Sequence, residues 1–367
     1  MEKLDIKILD FLNLIYQDKI HNRKYYTFGY QKDYSINENI DYGYIPFIFN
    51  EDFIEKIERE EIIPKTNPRN RTGILREYTE FITVHDTASA APSANARAHA
   101  NWLSSMANDI NSKTWVSWHY TVDEEEIIKH IPDEEVAYHA GDGTSIKLDY
   151  IDTKIKSRED IPQPVVTISS DGYFLINNQK TDILAPLTDK EEIVKNCNLP
   201  YQGINVKKGE NGNYLLGNTY WNCSYNVLSN RGGNLNSIGI ETCVNYGSNY
   251  ITTMRITAYL VAKLLIKYDL GIDRVKQHNF FSGKDCPKTL RYNKMWEEFL
   301  ELVRINLIRF KDLKDYQFKF ISLTPEYLND LGTIINYQEG IVVKYKVIVS
   351  KDDFIKEYFF ESKLESN

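Results

Sequence analysis

The chain has 367 residues, long enough for one full catalytic domain with additions at either end. Its 42% hydrophobic and 26% charged content is ordinary for a globular protein, and a net charge of −8 argues against a nucleic-acid binder, whose affinity rests on Lys and Arg neutralising phosphate. No stretch approaches the ~18 consecutive apolar residues of a membrane span.

The opening "MEKLDIKILDFLNLIYQDKI" predicts an amphipathic helix with Leu4, Ile8, Phe11, Leu12 and Ile15 on one face. Asp5, Asp10 and Asn13 interrupt what a signal peptide would keep apolar, so synthesis in the cytoplasm without a cleaved leader is expected. The four cysteines, Cys197, Cys223, Cys243 and Cys286, are too few for a disulfide framework in a chain of this length. Residues 1–70 form an N-terminal extension, read as helical, with a second charged helix near "EDFIEKIEREEI", and they close on the turn-rich "PKTNPRNRTG".

Next, "YTEFITVHDTASA" carries a buried strand with His85 at its carboxyl end. "PSANARAHANWLSSMAND" predicts a helix capped by Ser93, with Trp102 and Leu103 toward the core. "WVSWHYTVD" and "EEIIKHIP" predict two strands. Residues 145–233 resemble an insertion with hairpin signals of their own at "SSDG" and "GENGN". "SIGIETCV" is a further apolar strand, and "TTMRITAYLVAKLLIKYDL" a helix with Ile256, Leu260, Ala262, Leu264 and Leu265 buried. From 311 to 367 the chain turns β-like, as a small module or a late extension of the sheet. The expected class is therefore α/β, a central mixed sheet flanked by helices over residues 71–310, with the N-terminal extension, the insertion and the C-terminal β segment added.

Chemistry concentrates in "QHNFFSGKDCP". Zinc takes His nitrogen, Cys thiolate and carboxylate, and a catalytic site keeps three protein ligands and an open position. His278 and Cys286 can turn toward one ion, yet the spacing alone is weak evidence and favours a half-buried histidine and a packed cysteine. His85, at the end of a distant strand, is the third ligand such a site would need. Lys284 between the two downstream residues is then either an oxyanion stabiliser or an ordinary solvated lysine.

"FITVHDT", "WVSWHYTVDEEEIIKHIP", "AYHAGDG", "SIGIETCVN" and "VKQHNFFSGKDCP" together resemble, in order, the zinc N-acetylmuramoyl-L-alanine amidases of the amidase type 2 group, which share their fold with peptidoglycan recognition proteins and include many phage endolysins. The resemblance covers about residues 75–305. It implies Zn²⁺ held by His85, His278 and Cys286, with Lys284 stabilising the tetrahedral intermediate and Glu241 as general base. It places Trp118, His119 and His139 along the substrate groove, Trp118 standing where many relatives have a catalytic Tyr that an indole cannot replace as acid or base. Asp86, next to the first ligand, is expected to hydrogen-bond around the site without ligating. The implied activity is hydrolysis of the amide between N-acetylmuramic acid and L-alanine in peptidoglycan by a cell-wall lytic enzyme, released through a holin or another non-classical route. Peptidoglycan is the expected partner, with neither nucleic acid nor membrane. The alternatives are a non-catalytic peptidoglycan receptor, which characteristically lacks the third ligand, and a cytosolic amidase recycling muropeptides. The insertion begins near His139 and ends near Glu241, so it is expected beside the groove.

Overall fold

The computed structural model describes residues 2–46, 51–140, 150–161, 164–185, 206–217, 233–282 and 284–366, without the side chains of residues 2–5 and 282. Leu4 of the opening helix, Cys197 and Cys223 of the insertion, and Gly283 therefore lie outside the described side chains.

Six strands make the central sheet, in the order Val275–Gln277, Phe81–Asp86, Ser237–Thr242, Tyr120–Val122, Ile127–Lys129 and Glu58–Glu60. The first four run parallel to one another, Tyr120–Val122 and Ile127–Lys129 pair antiparallel, and Glu58–Glu60 runs parallel to Ile127–Lys129. This is the mixed α/β architecture expected. "FITVHD" is buried at every position because it is an inner strand covered on both faces, so its pattern is a continuous run and not an alternation. The helix Tyr250–Lys267 lies against the sheet and is buried almost all round, since Trp296–Asp312 packs on its outer side. All five apolar residues expected on its inner face are buried.

Local details depart from the sequence reading. The helix Ala96–Asn108 is capped by Asn95, whose side chain accepts from the amide of Ala98 at 2.9 Å, and not by Ser93. Leu103 points into the core, but Trp102 stays largely exposed and lies flat against buried Trp118. The charged helix near residue 51 stops at Ile57, and Glu58–Glu60 leaves it to add an edge strand to the sheet. The intervening stretch forms a hairpin, Arg23–Phe28 with Ile36–Asp41, that no helical reading anticipated.

The two ends of the chain meet. Helix Glu2–Ile15 places Ile8, Phe11, Leu12 and Ile15 against Phe318, Phe320 and Val347, and Lys19–His21 runs parallel to Phe354–Glu365 in a second sheet completed by Val342–Lys351 and Gln317–Ser322. A third core, with Val166, Phe174, Ile176, Val206, Tyr214 and Leu216, belongs to two three-stranded sheets within residues 150–217. Their hairpins turn at Gly172 and Gly212, the glycines of "SSDG" and "GENGN", both in the left-handed region that a side chain would disfavour. The connections of this segment, residues 141–149 and 218–232, lie outside the described residues. Among the described residues no helix is long and apolar enough to cross a membrane.

Candidate metal centre

Three adjacent parallel strands converge on one spot at their carboxyl ends, where open α/β sheets generally bind ligands. His85 stands directly beside Glu241 in the register of its neighbour on one side. On its other side Gln277 is paired with Val84, so the next residue, His278, arrives level with His85 as a short helix begins. Cys286 comes from the loop after that helix, which is closed by amide Asn279 donating to the Cys286 carbonyl at 3.0 Å and amide Cys286 to the Lys284 carbonyl at 2.8 Å.

The donor atoms meet. His85 Nδ1 lies 3.0 Å from His278 Nδ1, Cys286 Sγ lies 3.8 Å from His85 Nδ1, and one ligand atom from each residue falls within 4.8 Å of the others. All three residues are buried. Burial, reinforced by His278, His139 and Lys284 nearby, pushes the His85 imidazole well below its ordinary range, and burial with Lys284 brings His278 down to about 3. Both rings are therefore neutral, with lone pairs to offer. Burial drives the Cys286 thiol well up, and Asp86 and Glu241 add to this, so a thiolate forms there only with a cation to hold it. Neutral imidazoles and a thiol that needs a cation fit a metal ion.

Glu241 Oε1 sits 3.9 Å from His85 Nδ1, while Oε2 is buried without a hydrogen-bond partner among the described residues. Desolvation raises this carboxyl to about 8 against the opposing pull of Lys284. Lys284 is itself exposed, and its charge reaches Glu241, both histidines and Asp86. Asp86 is buried, raised to about 6 by desolvation, and accepts from the Thr289 amide at 2.8 Å, with its backbone and carboxyl oxygens 4.0 Å from Cys286 Sγ. It ties the strand of His85 to the segment that follows Cys286.

The three residues expected along the groove are all buried. Trp118 is buried and donates from Nε1 to Thr121 Oγ1 at 2.6 Å. His119 is wholly buried, its Nδ1 accepting from the Gly239 amide and its Nε2 3.0 Å from the Glu135 carbonyl. His139 is buried too, with Nδ1 3.0 Å from His85 Nε2. Backbone pairing explains the shift: amide His119 binds the Gly239 carbonyl, which seats the start of that strand inside the sheet and not on its rim. Thr83, Ser237 and Gly239, which sequence alone did not single out, stand around His139 or one another: Thr83 Oγ1 donates to Ser237 Oγ at 2.8 Å, and Ser237 Oγ and Gly239 face the His139 ring. Their signal was available, since Thr83 precedes His85 by two residues and Ser237 and Gly239 precede Glu241 by four and two, the period that puts residues on one face of a strand.

Comparison with known proteins places these residues in context. A family model described as N-acetylmuramoyl-L-alanine amidase matches residues 76–289, more than half of the chain. Among curated relatives, the N-acetylmuramoyl-L-alanine amidase CwlH of Bacillus subtilis is 25% identical over 66% of this chain and 59% of its own length, and XlyA of the same organism is 24% identical over 65% of this chain and 48% of its own. The chain thus spans about half the length of the curated relatives it matches. A solved structure of the catalytic domain of XlyA is similar at 23% identity and a TM-score of 0.39, covering 67% of this chain and 98% of that one, and the PlyG catalytic domain at 19% and 0.38, covering 68% and 95%. With the matched segment holding all of His85, Glu241, His278, Lys284 and Cys286, the chain belongs to the amidase type 2 family of N-acetylmuramoyl-L-alanine amidases.

Proposed function

We propose that this chain is a zinc-dependent amidase that hydrolyses the amide between N-acetylmuramic acid and L-alanine in peptidoglycan, as a cell-wall lytic enzyme. One observation carries the reading: two neutral imidazole nitrogens and a cysteine sulfur lie within 4.8 Å of one another beside a buried carboxyl, inside the segment that matches the amidase family. A mixed nitrogen and sulfur donor set suits zinc, whereas calcium and magnesium take oxygen.

His85, His278 and Cys286 would hold the ion. When bound, it supplies Lewis-acid polarisation of the scissile carbonyl and a water more acidic than bulk. Glu241, level with His85 and 3.9 Å from its Nδ1, would be ionised by a bound cation and would then take a proton from the attacking water as general base and return it to the departing amine of L-alanine. The Lys284 ammonium stabilises the negative charge that develops on the carbonyl oxygen as the carbon becomes tetrahedral. Asp86 holds the Thr289 amide and so keeps the Cys286 segment against the strand that carries His85. The products are the glycan strand and a stem peptide with a free L-alanine amino terminus.

The test is elemental analysis of zinc combined with amino-terminal analysis of digested peptidoglycan, for the natural chain and Cys286→Ser. About one zinc per chain and new L-alanine amino termini, both reduced in Cys286→Ser, are expected. Protein that is zinc-free and binds peptidoglycan without releasing amino termini would make the chain a receptor on the same fold.

A further inference from the structure

We infer that His139 is a positioning residue that fixes the tautomer of His85 and thereby aims the His85 lone pair at the metal; the inference rests on the metalloamidase reading above. His85 uses its two nitrogens differently. Nδ1 faces His278 and Cys286, and Nε2 lies 3.0 Å from His139 Nδ1, the two rings meeting edge to face at 86°. Two imidazoles at that distance share one proton between them, and which ring carries it decides whether His85 Nδ1 is a donor or a bare lone pair.

The proton's position follows from the far end of the chain of contacts. Ser237 Oγ donates its only proton to the Gly233 carbonyl, which can do nothing but accept, at 2.6 Å. One of its lone pairs receives Thr83 Oγ1–H at 2.8 Å. Toward His139 Nε2, at 3.5 Å, the hydroxyl therefore has only its other lone pair to offer, so His139 carries its proton on Nε2 and its Nδ1 is an acceptor. His85 must then donate from Nε2, and its Nδ1 is left bare, facing the cluster. Histidine ligands commonly have the opposite nitrogen held by a carboxylate or a carbonyl; here a second imidazole, steered by Ser237, does that work. Gly239 makes room for it, because a Cβ at that position would stand 2.6 Å from His139 Cγ.

Two measurements test this. The first is nitrogen NMR of the histidine side chains in the unaltered, metal-free chain, where His85 and His139 are both expected as Nε2–H tautomers; a proton on His139 Nδ1 overturns the inference. The second is the Zn²⁺ dissociation constant by chelator competition, with circular dichroism of each metal-free variant as the check on folding. His139→Ala is expected to weaken Zn²⁺ binding by ~10–100-fold. His139→Asn, whose side-chain oxygen can sit where Nδ1 sat, is expected to recover most of the loss, which filling the space alone would not do. Unchanged affinity in a folded His139→Ala, or an Asn variant as weak as Ala, overturns the role of His139 and leaves the metal site standing. No Zn²⁺ binding by the unaltered chain overturns the metal reading and this inference together. If His139→Ala does not fold, the tautomer measurement on the unaltered chain decides.

Discussion

The central sheet and the sheet that joins the two ends of the chain differ in how much polar chemistry they bury. In and beside the central strands, His85, His139, His278, Asp86, Thr83 and Ser237 are all buried, most of them in contact with one another, and Glu241 leaves one oxygen without a partner among the described residues. The terminal sheet buries Ile8, Phe11, Leu12, Phe318, Phe320, Val343 and Val349 around hydrocarbon. One polar side chain that does go under there, Ser362, donates to the Gln17 carbonyl. A buried polar atom without a partner costs roughly 1–3 kcal/mol. Such atoms occur elsewhere too, as at Asn70 Oδ1 and Asn306 Oδ1; what sets the central sheet apart is that its orphan, Glu241 Oε2, belongs to a side chain beside His85, His278 and Cys286, where an incoming ion or substrate can relieve the cost.

The comparison breaks most visibly at the ligands. Replacing His278 by Ala is expected to abolish bound metal and reduce amide hydrolysis to background while leaving the terminal sheet intact. Metal content, turnover and circular dichroism decide it, and a variant that retains full turnover ends the proposed mechanism. Glu241→Gln comes next, with a fall in kcat of ~10²–10⁴-fold if the residue is the general base and little change in KM; an unaltered kcat would remove Glu241 from the chemistry.

The same residue predicts a pH dependence. In the metal-free protein its carboxyl is raised from 4.5 to about 8 by burial, so the native state keeps a proton that the unfolded chain has already released. Stability from this group is therefore greatest below pH 4.5 and is lost as pH rises toward 8. Thermal denaturation of metal-free natural chain and Glu241→Gln across that window should diverge, the variant gaining on the natural chain as pH rises; parallel curves would contradict the burial argument.

On the other side of the comparison, Phe320→Ala is expected to lower stability by ~3–5 kcal/mol through the cavity it opens, with kcat of the folded enzyme unchanged. Urea unfolding beside kinetics would check this, and a parallel loss of kcat would show that the terminal sheet supports the site. The smallest effect belongs to the exposed cross-strand pair of Lys346 and Glu357, 2.8 Å apart. Lys346→Ala should change stability by less than ~1 kcal/mol, and a larger change would mean that the outer face of this sheet is doing more than staying in water.

Much of the site could be read from the chain. His85 and Cys286 stand in segments whose strand or loop character is marked by local pattern, His278 opens a short helix after a strand, and Glu241 follows a run of apolar residues that forms a buried strand. The groove residues could not be read in the same way. Trp118 and His119 are polar-tipped rings next to a strand, and such rings face either a cleft or the interior according to how the neighbouring backbone pairs; here the Gly239 carbonyl takes the His119 amide and the rings go inside. Residues 1–70 failed for a related reason: Glu58–Glu60 is a charged segment with no strand pattern of its own, and it becomes a strand only because Ile127–Lys129 offers it an edge.

Local chemistry along the sequence determined which residues could bind a metal, which strands were buried and where the hairpins of the 150–217 segment turn, since donor type, apolar runs and turn glycines act within a few residues of themselves. Tertiary structure alone decided that the first helix packs against the last strands, that His139 stands against His85 Nε2, and which imidazole nitrogen of His85 faces His278 and Cys286. Those outcomes depend on contacts between residues 54 to more than 300 positions apart, and no spacing in the chain encodes the direction from which a distant partner will arrive.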